Sequence, residues 1–317
     1  MTRKSCPYCY CSNVNKHGLN RGRQRYRCQD CQTTWSGTTR PQRFRRKLWR
    51  QYAQEGRTIQ QLADYYHKKP SFIRQELCRY EVSEHIARPR KVTVILDVTY
   101  FGSWGLLVAI DPYAVASRDE NLVLYWAEIL GTERTIDYDM ATDTLEAMGY
   151  TIQAAVIDGR RGVRQMLERK GILVQQCQFH QLQTIAQCLT RRPRLVQNQE
   201  LRSIALTLTR TTKEVFQAKL EDWHEEHGEW LKERDPLTKQ FIHRRTRRAY
   251  FSLRRNLDYL FTFQDKQLLE RSIRIPNTTN ALDGRFGVWK TRLKSHRGCS
   301  KDRKTKILRS FFSERTD

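Results

Sequence analysis

Four cysteines in the first 31 residues constrain this chain more than any other feature: Cys6-Pro-Tyr-Cys9 and, eighteen residues further on, Cys28-Gln-Asp-Cys31. Two Cys-x2-Cys knuckles at this spacing can bring four thiolates to one tetrahedral point, the arrangement of a closed structural Zn²⁺ site. The alternative, two disulfides, is disfavoured by the lack of a recognisable signal peptide and by the odd total of nine cysteines. Cys11, two residues past the first knuckle, could substitute as a ligand and is read as a bystander. Between the knuckles lie Lys16, Arg21, Arg23, Arg25, Tyr26 and Arg27, with almost no acid. A zinc-clipped loop of that charge suits a phosphate backbone better than a protein partner, and Arg23 and Arg25 are its candidate DNA contacts.

Net charge is distributed in three blocks: +14 over residues 1–90, −4 over 91–180 and +14 over 181–317. Basic flanks suit a polyanion. An acidic centre between them needs a reason, and a divalent-cation site built from carboxylates supplies one. No apolar run approaches the length of a membrane span, so a soluble, cytoplasmic protein with reduced thiols is expected.

Residues 32–42 are polar, end in Pro41 and read as a linker. Three short helices follow: Arg43–Glu55, Ile59–Tyr66 capped by Thr58, and Ser71–Tyr80 capped by Ser71. With Ile59, Leu62, Ala63, Phe72, Ile73 and Leu77 inward, they match a helix-turn-helix, and the third offers Arg74, Gln75 and Arg79 to a major groove. The texture changes at Pro89. Lys91–Tyr100, Gly105–Asp111 and Leu122–Ile129 read as three consecutive strands. Helix 135–148, strand 151–157, helix 160–170 and strand 172–176 come next. That order is a mixed α/β sheet of ribonuclease-H-like type. From 181 to about 275 the apolar positions recur at helical spacing, too long a stretch for one connection, so an all-α insertion is expected. Pro276 ends it, and Asn277-Thr278-Thr279-Asn280 opens a last helix. The expected domains are a zinc ribbon (1–40), a helix-turn-helix (41–90), the first part of the catalytic domain (91–180), the insertion (181–275) and the catalytic domain's last part with a basic tail (276–317).

Asp97 stands inside an apolar strand, where a charge is expensive unless something compensates it. Asp158 ends a later strand. If the two strands are neighbours, both carboxylates project near one sheet edge, where they repel unless cations bind between them. A pair of Mg²⁺ ions held this way can promote attack on a phosphodiester. A third acid should come from a late helix; Asp283 is the candidate and Glu270 its rival. Cys177 and His180 have no second Cys/His pair nearby at ligand spacing, so packing or positioning beside the active site is expected of them. Lys290, Arg292, Lys294, His296 and Arg297 are expected to follow a DNA backbone, and the run from Arg244 to Arg248 is a second phosphate-binding candidate.

Taken together, these pieces resemble a bacterial insertion-sequence transposase of the Mutator-like DDE group, in a variety with an N-terminal zinc-binding segment. The resemblance spans almost the whole chain: the Cys knuckles, GRTIQQLADYY, ILDVTYFG, AVIDGRRGVRQ, QCQFHQLQ and NTTNALDGRFGVWKTRLKSHRG. It implies catalytic acids at Asp97, Asp158 and Asp283, the last where the family usually has Glu. It places the family's Cys-x2-His signature on Cys177 and His180. It further implies Mg²⁺ (or Mn²⁺) held by the three acids, Zn²⁺ on Cys6, Cys9, Cys28 and Cys31, hydrolysis at double-stranded transposon ends, and strand transfer into target DNA. A homodimer or larger assembly on DNA and association with the bacterial nucleoid are also expected. Two other readings compete: a non-catalytic DNA-binding regulator derived from such an enzyme, and a structure-specific nuclease of the same fold. The intact Asp97/Asp158 pair argues against the first, and the N-terminal recognition modules against the second.

Overall fold

In the computed structural model the described residues are Cys6, 11–20, 22–36, 40–82, 89–114 and 122–312. The chain divides into two compact units, Met1–Ile86 with Gly287–Asp317, and Ala87–Phe286. The sequence reading groups 276–317 with the sheet; by its contacts the chain from Gly287 onwards groups instead with the N-terminal helices.

The first unit begins with a small antiparallel sheet, β1 (Val14–Asn20), β2 (Arg23–Cys28) and β3 (Thr34–Ser36), in that order. The expected linker over 32–42 is therefore partly strand. Three residues are too few to show an alternating pattern, and what holds β3 in place is Trp35, buried and paired across the ladder with Tyr26. Helices α1 (Arg40–Ala53), α2 (Ile59–Tyr66) and α3 (Pro70–Arg79) follow. Thr58 starts α2 with a capping box: its hydroxyl accepts from Gln61 N, and Gln61 Oε1 accepts from Thr58 N. The turn between α2 and α3 passes through His67 in the left-handed region, φ 51°. Helix α3 is not capped by Ser71. Pro70 occupies its first position, where its fixed φ suits the helix and its missing N–H is not needed. Leu48, Trp49, Tyr52, Leu62, Ile73 and Leu77 are buried.

The second unit carries a five-stranded sheet, ordered β6-β5-β4-β7-β8, from β4 (Lys91–Tyr100), β5 (Trp104–Ile110), β6 (Val123–Leu130), β7 (Thr151–Ile157) and β8 (Leu173–Gln176). β4, β5 and β6 form an antiparallel meander; β7 and β8 add in parallel to β4's other edge. Parallel pairing needs crossovers, which α4 (Thr135–Ala147) and α5 (Arg161–Arg169) supply. Val94, Leu96, Leu107 and Ala109 from the strands pack with Tyr138, Ala141, Leu145, Val163 and Leu167 from these helices in one core. Gly162 lets α5 meet the start of α4: a Cβ there would lie 2.7 Å from Thr135 Oγ1.

Beyond β8 the chain is helical: α6 (Gln178–Leu189), α7 (Val196–Leu206), α8 (Lys213–Lys232), α9 (Arg244–Leu260) and α10 (Lys266–Glu270), with a second core around Leu201, Phe216, Trp223, Tyr250 and Leu253. Amide side chains fasten this layer to the sheet. Gln175 and Gln178 both donate to Leu260 O, and Gln181 accepts from Gln176 and Asn256 while donating to Ser252. Every one of those glutamines is buried, and their partners explain how an interior tolerates them. Helix α11 (Asn280–Lys294) and helix α12 (Lys301–Phe312) end the described chain. In the first unit, Lys306 of α12 donates to Leu77 O and Cys78 O, satisfying carbonyls at the end of α3.

Candidate functional site

β4 and β7 run in parallel with Ile95 opposite Val156. Carried two residues on, that register sets Asp97, within β4, opposite Asp158, one residue past the end of β7. The same period of two keeps each carboxylate on the face of the residue it follows. Asp283 reaches the cluster from the first turn of α11. Thr279, fully buried just ahead of that helix, donates from Oγ1 to Asp283 Oδ2 at 2.9 Å, and its carbonyl accepts from Leu282 N and Asp283 N. Thr279 is itself fixed from the sheet side: its N–H donates to Cys177 Sγ at 3.3 Å, and its hydroxyl lies 3.4 Å from the same sulfur. The Cys177 thiol thus positions the turn that presents Asp283.

Asp97 senses both other acids. Asp97 is pushed up to about 7, by burial above all; the Val98 N–H and His180 oppose the rise, while Asp283 and Asp158 add to it. His180, on α6, is pushed up to about 9, first by pairing with Cys177 and further by Asp97 and Asp283, against the effect of burial. Burial opposes ionisation of Cys177, yet hydrogen bonding with His180 and Thr279 outweighs it and lowers the thiol below its ordinary range. The cluster therefore sets a cationic His180 beside three carboxyl groups, of which Asp97 is held partly protonated near neutral pH.

A fourth carboxylate escaped sequence reasoning. Glu133, just before α4, has a buried side chain that accepts from Tyr138 OH at 2.7 Å and pairs with Arg160. Arg160 also donates from Nε to Asp158 Oδ2 at 3.2 Å, and its backbone N–H reaches Asp158 Oδ1. Burial pushes Glu133 up, and Asp158 adds to this. The only sequence signals were a glutamate at a helix start and an arginine two residues after Asp158, both ordinary by themselves.

In the N-terminal sheet, the Sγ atoms of Cys6, Cys28 and Cys31 all lie within 4.8 Å of one another. Cys6 and Cys31 sulfurs are 3.7 Å apart. Thiolates tetrahedrally bound to one Zn²⁺ stand about 3.8 Å apart, so the cluster is compatible with zinc. Cys9 lies outside the described residues. Cys11 is not one of these three, and its sulfur lies 3.1 Å from that of Cys28.

The other expected contact residues differ in placement. Arg74 and Gln75 are exposed on α3; Arg79 is half-exposed and paired with Glu76. Arg25 donates to Thr34 Oγ1, and the side chain of Arg23 is not among those described. Lys290, Arg292, Lys294 and Arg297 are exposed. His296 is not part of that exposed row. It is buried, lies 4.2 Å from the Tyr52 ring between centroids, and bonds through Nε2 to Tyr52 O at 2.9 Å. Burial lowers its basicity, against the opposing effect of the Tyr52 hydrogen bond. Its cationic neighbours in sequence disguised a core residue.

No helix among the described residues is long and apolar enough to cross a membrane. Compared with known protein families and with curated proteins, the chain matches none.

Proposed function

We propose that this chain is a DDE-type transposase that binds the ends of an insertion sequence and cuts and joins DNA there. The observation that carries the reading is the convergence of Asp97, Asp158 and Asp283 from two adjacent parallel strands and a late helix, with Asp97 pushed up to about 7. Carboxylates so arranged are short of positive charge, and their hard oxygens are the donors that Mg²⁺ or Mn²⁺ prefers. These three acids would hold the ions, which when bound would lend Lewis acidity to the phosphodiester and ease deprotonation of the attacking water or 3′-hydroxyl.

The remaining roles fall to side chains. Thr279 and Cys177 orient Asp283. His180 carries a proton at neutral pH and can offer it in a hydrogen bond to a phosphate oxygen. Arg160 orients Asp158 and ties it to Glu133. The order of strands and helices suits a ribonuclease-H-like core, the cysteine-bearing sheet a zinc ribbon, and α1–α3 a helix-turn-helix with Arg74 and Gln75 outward. Both DNA ends must be held together, so the working form on DNA is a dimer or larger.

The test uses DNA carrying the gene's native borders, with Mg²⁺ or Mn²⁺, and wild type beside Asp97→Asn, Asp283→Asn and Asp283→Glu. Border cleavage and strand joining by wild type, lost in both Asn variants while border binding persists, supports the reading. Binding without cleavage by every variant in either metal would replace it with the regulator.

A further inference from the structure

Away from the carboxylates, α9 carries six arginines against one aspartate. Its inward residues, Ala249, Tyr250, Leu253, Leu257 and Leu260, belong to the helical core. Its outward residues include Arg247, Phe251, Arg254 and Arg255, spaced i, i+4, i+7 and i+8 and hence on one face. These four line a cleft of about 610 Å³. A neighbouring hollow of about 360 Å³ shares Arg247 and Phe251 and continues past Arg234, Phe241 and His224. The bland alternative is a solvated basic face, and three features argue against it. The surface is a shallow, open hollow. Phe251 lines both parts of it, half-buried against the helical core. Its guanidinium groups are partly immobilised: Arg247 lies 3.7 Å from the Phe241 ring centroid and 5.1 Å from that of Phe251, and donates to Leu231 O at 3.0 Å. Arg234 lies 3.8 Å from the same Phe241 centroid. Among the described residues no carboxylate forms an ion pair with Arg247, Arg254 or Arg255. Next to them His224 is held below its ordinary range, by burial first and then by Arg254, Lys232 and Arg247.

We propose that this cleft binds single-stranded DNA, with a phosphate on Arg254 and Arg255 and an unpaired base against Phe251. A lone oxyanion would leave the ring bare and most of the volume unused, whereas a nucleotide suits both. A paired base has no free face to offer a ring set among arginines, so the strand must be unpaired there. The inference rests on the reading that the chain works on DNA, but not on the carboxylate cluster.

Fluorescence anisotropy on the full chain tests it with three probes: a 12-nucleotide oligothymidylate, an abasic strand of equal length, and a border duplex. Wild type should prefer oligothymidylate to the abasic strand by about tenfold, the stacking contribution of one base. Phe251→Leu should erase that preference and leave duplex binding unchanged. Arg255→Gln, at an exposed position, should weaken both single strands and reduce the salt slope by about 0.7. It carries the test even if Phe251→Leu fails to fold. Equal binding of the two single strands by wild type would mean a phosphate-only surface and overturn the proposal. So would oligothymidylate binding indifferent to Phe251→Leu and Arg255→Gln. Duplex bound without oligothymidylate would sink this cleft alone; no binding of any DNA would sink the transposase reading with it.

Discussion

The two sheets of this protein are held by different chemistry. In the N-terminal one, the buried residues among those described are Cys6, Cys28 and Trp35, with Cys11, Val14 and Tyr26 half-covered. Nearly all of β1 is exposed. In the five-stranded sheet every residue of β5 is buried, and the strands share a core with α4 and α5. Ladder hydrogen bonds are common to both, so they cannot explain the difference. The large sheet is stabilised by area removed from water, roughly 25 cal/mol per Å² of apolar surface. The small one has too little such area, and its cysteine cluster is compatible with a metal that would supply the missing stabilisation.

The largest expected effect separates the two directly. Metal chelation, or Cys28→Ser, should abolish amide-exchange protection in β1–β3 and leave β4–β8 unchanged, since structural zinc contributes about 10–16 kcal/mol of apparent binding energy in small domains. Protection that survives chelation would break the comparison. Next, Leu107→Ala, fully buried in β5, should cost about 3–4 kcal/mol in urea unfolding of the second unit with no loss of protection in β1–β3.

Glu76 in α3 gives an intermediate case. Its carboxylate is 6% exposed and accepts from Arg45 Nε at 2.8 Å and Arg79 Nη1 at 2.9 Å. The Arg45 hydrogen bond, more than anything else, holds it below the ordinary range against the opposing pull of burial. Its stabilisation is complete above the unfolded value of about 4.3 and is lost as pH falls through the lower folded value. Glu76→Gln should therefore cost about 2 kcal/mol at pH 7 and almost nothing at pH 2, with half-exposed Arg79 contributing least.

The smallest effect has the opposite sign. Asp97 is pushed up to about 7, so wild type loses stability as pH rises from its unfolded value of about 3.9 towards 7. Asp97→Asn should stabilise the second unit by about 1–2 kcal/mol at pH 8, seen as a higher midpoint in urea. Added Mg²⁺ should raise the midpoint of wild type and not of the variant; equal responses would separate Asp97 from any metal.

Most of the large sheet was legible in sequence because its strands are β-branched, apolar and punctuated by turn residues. Asp97 and Asp158 could be read as a pair because each breaks such a run. Other features were hidden for physical reasons. β3 is too short to show a period, so Trp35 looked like a linker residue. His296 sat among cations and read as one of them. Nothing in the sequence marks Gln175, Gln176, Gln178 and Gln181 as interior residues, since an amide's partner is set by the fold and not by its neighbours in sequence. Glu133 and Thr279 act through residues distant in the chain, a relation that one-dimensional spacing cannot carry.

The dependence of the carboxylate cluster on α11 has a consequence for how the protein comes into being. Asp97 and Asp158 leave the ribosome early, on strands that can pair as soon as β7 follows β4. Asp283 and the Thr279 turn that orients it arrive only after the whole helical layer has been synthesised. The cluster is thus finished only after the helical layer has been made. A nascent chain that stops short of α11 holds two of the three acids and cannot assemble the third, so synthesis through α11 is itself a condition for completeness of the site.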